Sequence, residues 1–160
     1  MIVIADSSAL VALSVYDGLL LLDVLFGEVK VPQAVYDEVC IASKAESQAL
    51  QAYLAGKVCS VQTSINIEKS NGRGKAELAA IGLYKQLSAD LLLIDDARAK
   101  KVAYLNNLEV MGSLGVLHLA KKKGLIATLK PSLTRLRCSD IFVSEHLLDQ
   151  LLVMSGESTE

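Results

Sequence analysis

Short, wholly apolar runs alternate with amphipathic stretches along most of the chain. Residues 2–5 (IVIA) are apolar throughout and end at Asp6, the pattern of a short strand buried on both faces. Ser7 or Ser8 stands where it would cap a helix running to Leu13. Residues 19–25 are almost unbroken leucine and predict a second, strongly apolar helix. Residues 28–31 read as extended, and Pro32, in a first helical turn, opens a helix to Cys40. Helical patterning returns over 44–55 and closes at Gly56. A strand follows at 58–61, a polar loop at 64–73, a helix at 74–87 and an apolar strand at 91–94. A helix at 97–106, a short strand at 109–111 and a helix at 112–123 complete the alternation. Beyond Gly124 two helices are predicted, at 130–137 and 143–154, with no strand between them and a frayed tail over 155–160.

Strands that are apolar on both faces and alternate with helices predict an α/β fold, its parallel sheet covered by helices on both sides. At 160 residues the chain suits one domain. The change of pattern divides it into an α/β unit over 1–125 and a helical extension over 126–160 packed on the same domain.

Composition narrows the function classes. Apolar residues make up 52% and charged residues 21%, as in a folded globular chain. Mean hydropathy is high at +0.40. The most apolar stretch, 19–26, is interrupted by Asp23 and is far short of a membrane span. The opening run ends at Asp6, too early for a signal peptide. A cytoplasmic protein with no membrane partner is expected, its excess apolar surface suiting a homodimer. The net charge of −2 does not advertise a nucleic-acid partner. Clusters of basic residues at Arg98, Lys100 and Lys101, at 121–123, and at Arg135 and Arg137 read singly as solvated helix faces. Cys40, Cys59 and Cys138 are widely spaced with no CxxC, which favours reduced thiols over a zinc site.

The candidate chemistry lies in the acids. Sites on an open parallel sheet form outside the carboxyl ends of its strands. Two of the most apolar strands stop directly at acids, one at Asp6 and one at Asp95-Asp96. An Asp in that place is also an ordinary helix cap. Two of them converge only if their strands are neighbours. Glu77 lies at the edge of a stripe made by Ala76, Ala80, Leu83 and Leu87, where a carboxylate is costly unless it pairs with Lys75 or Lys85, reaches water or meets a cation. Glu38, three on from Val35, is nearer the buried side of its helix than Asp37. Clustered carboxylates hold each other's pKa up until a cation neutralises them, and Mg²⁺ or Mn²⁺ suits an all-oxygen site. Such ions support metal-assisted hydrolysis of a phosphodiester. Gly72-Arg73-Gly74-Lys75 lacks the spacing of a phosphate loop, although Arg73 and Lys75 could touch a phosphate backbone. The glycines of Gly112-Ser113-Leu114-Gly115 suit close helix packing. His118 and His146 have no ligand-type neighbours at metal spacing.

Five segments in order, IVIADSSAL, FGEVKVPQAVYDEV, GRGKAELAAIGL, ADLLLIDDARAKKVA and VMGSLGVLHLAKKKGLI, resemble a branch of the PIN-domain superfamily related to the VapC-type toxins of toxin–antitoxin pairs. The resemblance runs from Ile2 to about Leu152. It implies a three-layer α/β/α PIN-like fold and a metal-dependent ribonuclease. It also implies catalytic acids at Asp6, Glu38, Glu77 and one of Asp95 and Asp96, with Mg²⁺ or Mn²⁺ held by Asp6, Glu77, Asp95 and Asp96. The alignment favours Asp96, although Ile94 replaces the small polar residue usual before it. Ser7 or Ser8 matches the small hydroxyl residue that helps hold the metal or the scissile phosphate, and Arg73, Lys75 and Arg98 are further candidates for substrate contact. The implied partners are RNA or DNA, an antitoxin protein and a second copy of the chain. Ala97, Arg98 and Ala99 stand where such toxins often carry an aromatic residue, which weakens the toxin assignment more than the fold. That departure and the modest net charge favour the rival reading, a non-catalytic nucleic-acid-binding or protein-interaction module.

Overall fold

Five short strands lie parallel in the order β3-β2-β1-β4-β5. They are β1 (Ile2–Ala5), β2 (Glu28–Pro32), β3 (Val58–Cys59), β4 (Leu91–Leu93) and β5 (Val110–Met111). The structure is a computed structural model, and it describes residues 1–41, 46–62, 74–141 and 143–157. Among these residues the helices are α1 (Ser7–Val15), α2 (Leu19–Phe26), α3 (Gln33–Val39), α4 (Ser47–Leu54), α5 (Lys75–Leu87), α6 (Ala97–Leu105), α7 (Ser113–Lys122), α8 (Lys130–Arg137) and α9 (Glu145–Met154). The architecture is the expected three-layer α/β/α sandwich. Val3, Ile4, Ala5, Leu92 and Leu93 are fully buried, which is why their strands carry no polar side chain.

The chain winds outward from β1 through β2 to β3, then returns to place β4 on the other side of β1. A crevice opens where the winding reverses, outside the carboxyl ends of β1 and β4. Ala5 pairs with Leu93, and the Asp6 amide donates to the Leu93 carbonyl at 2.8 Å. Asp6 and the acids after β4 therefore leave the sheet side by side.

Several boundaries differ from the pattern-based expectation, each for a local reason. Neither serine caps α1, because Asp6 occupies the cap position and Ser7 is the first helical residue. β3 stops at Cys59 and not at 61. The Gln86 side chain of α5 takes over beyond it, donating to the Ser60 carbonyl at 2.9 Å and accepting from the Gln62 amide at 2.7 Å. α9 begins at Glu145 because the Ser144 hydroxyl accepts from the Leu147 amide at 3.2 Å. The start predicted at 44 and the polar loop at 64–73 lie outside the described residues. Gly124, with φ +77°, ends α7 while the Leu125 amide reaches back to the Ala120 carbonyl.

α8 and α9 share the core of the rest of the chain through Leu133, Leu136, Leu148 and Leu152. Among the described residues no single helix is long and apolar enough to cross a membrane. α1 and α2 pass that test only as a pair bent by 113°, and they bury Leu10, Leu13 and Leu22 in the core. Some apolar side chains remain outside, notably Leu20 (74% exposed) and Val24 on α2, and Val153 and Met154 on α9.

The tail expected to fray is instead fastened at Glu157. Its carboxylate, with 9% of the side chain exposed, accepts from the Leu129 amide at 2.8 and 3.0 Å, from the Lys121 ammonium at 2.7 Å and from the Thr128 hydroxyl. This ties the end of the chain to the last turn of α7 and the start of α8. Residues 158–160 lie outside the described set. Burial alone would push the Glu157 carboxyl up, but the hydrogen bonds and the Lys121 charge outweigh it and hold it at about 2. A lowered carboxyl pKa gives stability that is present above the ordinary value of 4.5 and lost as the pH falls toward 2. Glu157→Gln is expected to melt roughly 3–10 °C below wild type at pH 7, from a loss of about 1–3 kcal/mol. In thermal melts followed by circular dichroism, the gap should narrow steadily below pH 4.5. A gap independent of pH would show that the charge at Glu157 does not fasten the tail.

Candidate active site

Asp6 is built into the switch point by its strand. It follows β1 with extended backbone (φ −94°, ψ 162°) and occupies the cap position of α1, yet its carboxylate makes no cap bond. Oδ2 accepts from the Ser8 hydroxyl at 3.1 Å, and Oδ1 has no hydrogen-bond partner although the residue is only 1% exposed. A buried carboxylate oxygen without a partner is costly. Burial raises the Asp6 carboxyl to about 6. The neighbouring amides of Ser7 and Ser8 and the Ser8 hydroxyl pull the other way, while the Glu77 charge adds to the rise.

Ser8 joins the two strand ends. Its hydroxyl gives its one proton to Asp6 and accepts from the amides of Asp95 at 2.9 Å and Asp96 at 3.4 Å. The sequence singles Ser8 out as a small hydroxyl residue, but a contact spanning 87 positions has no local signal. Asp96 behaves as a helix cap, its Oδ1 accepting from the Arg98 amide at 3.0 Å. Asp95 turns toward α7, where Oδ1 accepts from the Ser113 amide and Oδ2 from the Ser113 hydroxyl, both at 2.6 Å. Burial raises the phenol of Tyr16, the nearby Ser113 hydroxyl pulls it down, and the Asp95 charge adds to the rise. Sequence reasoning did not single out Tyr16 or Ser113 as belonging to this network.

The other two acids come from helices. Glu77, half-buried on α5, turns back to accept from the Gly74 amide at 2.6 Å, satisfying a free donor at the helix start. A Cβ at Gly74 would fall 2.5 Å from Glu77 Oε2, so a side chain there would displace the Glu77 carboxylate from this position. Glu38 and Asp37 are both exposed on α3. Asp37 accepts from the Gln33 side chain at 2.8 Å, whereas Glu38 faces the cleft.

A single cleft of about 410 Å³ receives Asp6, Glu38, Glu77, Asp95 and Asp96, together with Ser7 and Ser8. Val11, Val39 and Ile141 form its apolar wall. Ile141 comes from the α8–α9 connection, which no sequence motif tied to the acids. Of the candidate cations, Lys75 and Arg98 are exposed on α5 and α6 and are not among the side chains lining the cleft, and Arg73 lies outside the described residues.

The lining donors are oxygens alone, the set that hard divalent cations prefer. Asp6 Oδ1 is the atom that best fits such an ion, because it is buried and unpartnered on a residue that lines the cleft. Glu77, Asp95 and Asp96 already accept from backbone amides. Accordingly, among the described residues no three acid, histidine or cysteine side chains form a ready-made metal cage.

Asp6 makes a stability prediction opposite in sign to that of Glu157. Its folded pKa of about 6 lies above the ordinary 3.8, so its contribution favours folding below about 3.8 and is lost as the pH rises through 6. In chelator at pH 7.5, Asp6→Asn should be more stable than wild type, by at most about 3 kcal/mol. Urea unfolding should show the difference shrinking between pH 6 and pH 4. An Asp6→Asn variant less stable than wild type at pH 7.5 would mean that the carboxylate carries no net cost.

The comparisons with known proteins bear on the family and the fold. No curated protein matches the chain. A family model described as a PIN domain matches residues 2–157, almost the whole length, including the acids that follow β1 and β4 and the helices after residue 125. With that match and a parallel sheet whose switch point gathers acids, the chain belongs to the PIN-domain family.

Proposed function

We propose that this protein is a divalent-cation-dependent ribonuclease that hydrolyses phosphodiester bonds in RNA. Membership of a family with a nuclease-type fold supports the reaction class. One observation carries the site: Asp6 Oδ1 is buried and without a partner, on a residue lining a cleft that also receives Asp95 and Asp96 from the end of β4 and Glu38 and Glu77 from α3 and α5. Asp6, Glu38, Glu77 and Asp96 would hold Mg²⁺ or Mn²⁺. A bound cation would supply a water of lowered pKa and positive charge to offset the charge that develops on the leaving oxygen. Ser8 holds Asp6 by Oδ2 and leaves Oδ1 without a partner, and Val11, Val39 and Ile141 would keep water from part of the cleft. Lys75 and Arg98, with Arg73, would meet the phosphates on either side of the scissile bond, positioning the strand without reading its sequence.

A second reading, a non-catalytic nucleic-acid-binding or interaction module, is favoured by the amide contacts already made by Glu77, Asp95 and Asp96. Exposed Leu20 and Val24 support a protein partner, either a second copy or an antitoxin holding a toxin inactive.

Incubation of the protein with labelled single-stranded RNA or DNA, in Mn²⁺, Mg²⁺ or chelator, tests the proposal. RNA cleavage is expected with either ion, none in chelator, and on the order of a 100-fold loss in Asp6→Ala. Cleavage that survives both chelator and Asp6→Ala would defeat the reading. RNA bound but uncut in every condition would select the non-catalytic module.

A further inference from the structure

Asp95 and Asp96 leave the same strand end, yet they are engaged differently. Asp95 has both oxygens in short hydrogen bonds to one residue, Ser113, the first residue of α7 and only 3% exposed. This grip satisfies a free amide at a helix start and sets a negative charge at the positive end of the helix. Gly112 makes room for it, since a Cβ there would stand 3.0 Å from Asp95 Oδ1. Each Asp95 oxygen keeps a lone pair, but a cation drawing on it would compete with the Ser113 amide and hydroxyl for the charge of the same two oxygens. Asp96 commits Oδ1 alone, to the start of its own helix. The Asp95 and Asp96 amides are in turn held by Ser8, whose proton fixes Asp6 Oδ2 and leaves the buried Oδ1 unpartnered.

We propose that Asp95 is a positioning residue and not a cation ligand: it pins the start of α7 to the end of β4, and so fixes the backbone that presents Asp96 beside Asp6. The assignment of a cation to this cleft rests on the ribonuclease reading; the pinning does not. Asp95→Asn keeps an acceptor for the Ser113 amide and a partner for its hydroxyl, but removes the charge a ligand needs. Asp95→Ala removes both.

The test measures Mn²⁺ affinity by calorimetry and melting temperature in chelator for wild type, Asp95→Asn, Asp95→Ala, Ser113→Ala, the double variant Asp95→Ala/Ser113→Ala, and Asp6→Asn. Asp95→Asn should bind Mn²⁺ within about threefold of wild type and melt less than about 3 °C below it, from the lost charge at the start of α7. Asp95→Ala should lose about tenfold in Mn²⁺ affinity, as when a group orienting a ligand is removed. Asp95→Ala and Ser113→Ala should each melt about 3–8 °C lower, with the double variant no worse than the poorer single one. A tenfold loss of Mn²⁺ affinity in Asp95→Asn at a melting temperature within about 3 °C of wild type would make Asp95 a ligand and overturn the proposal. Additive losses, or an Asp95→Ala that melts like wild type, would overturn it as well. Should wild type fail to bind Mn²⁺, or Asp6→Asn bind it as tightly as wild type, the cation reading fails separately. The melting cycle in chelator still decides whether Asp95 pins α7.

Discussion

The parallel pairing of β1 with β4 is the constraint on which the rest of the structure depends. The register of Ala5 against Leu93, carried one residue further by the bond from the Asp6 amide, brings two chain segments almost ninety residues apart to the same edge. That pairing requires both strands to be apolar on both faces, since helices cover them on either side. It also leaves Asp6 buried, because the residue after a central strand has nowhere else to go. The acid cluster is thus a consequence of the sheet order, and the cost of burying Asp6 comes from the same packing that stabilises the core.

Two carboxylates show that partners decide a buried acid's chemistry more than burial does. Both lie largely out of water, and burial is the leading upward pull on each. Glu157 collects an ammonium, a hydroxyl and a backbone amide and is held at about 2. Asp6 has burial and an acidic neighbour, Glu77, against only the Ser8 hydroxyl and the nearby Ser7 and Ser8 amides, with no cation beside it, and rises to about 6. The first acid is spent on stability. The second is kept in a state that a positive charge would relieve.

What could be read from the sequence follows the range of the interaction. The alternation of apolar runs and amphipathic stretches foretold the α/β class and nearly every strand, because burial on both faces writes itself into consecutive residues. Asp6 and Asp95-Asp96 stood out for the same reason, as the first polar residues after such runs. Contacts made across the fold left no such trace. The end of β3 is set by Gln86, whose side chain could equally have faced solvent. The tail reads as polar and frayed until Lys121, Thr128 and Leu129 are placed around Glu157. Ser8 is visible as a hydroxyl beside an acid, but its grip on the amides after β4 exists only once the strands pair. Neither Ile141 nor Ser113 carries a chemical signal of its own; each matters through what it stands against.

The cleft's electrostatics bear on how such a site would meet its substrate. Its lining is acidic, with no lysine or arginine among the described side chains around it. A polyanion entering an acidic cleft meets repulsion that a low-dielectric wall of Val11, Val39 and Ile141 strengthens. Under the proposed function a divalent cation would therefore supply the attraction that lets a phosphate approach at all, besides its role in the reaction. The cationic side chains at Lys75 and Arg98 lie outside the lining and would act along the flanking strand. Binding and chemistry would then depend on the same ion, and the buried, unpartnered oxygen of Asp6 is the feature that would couple them.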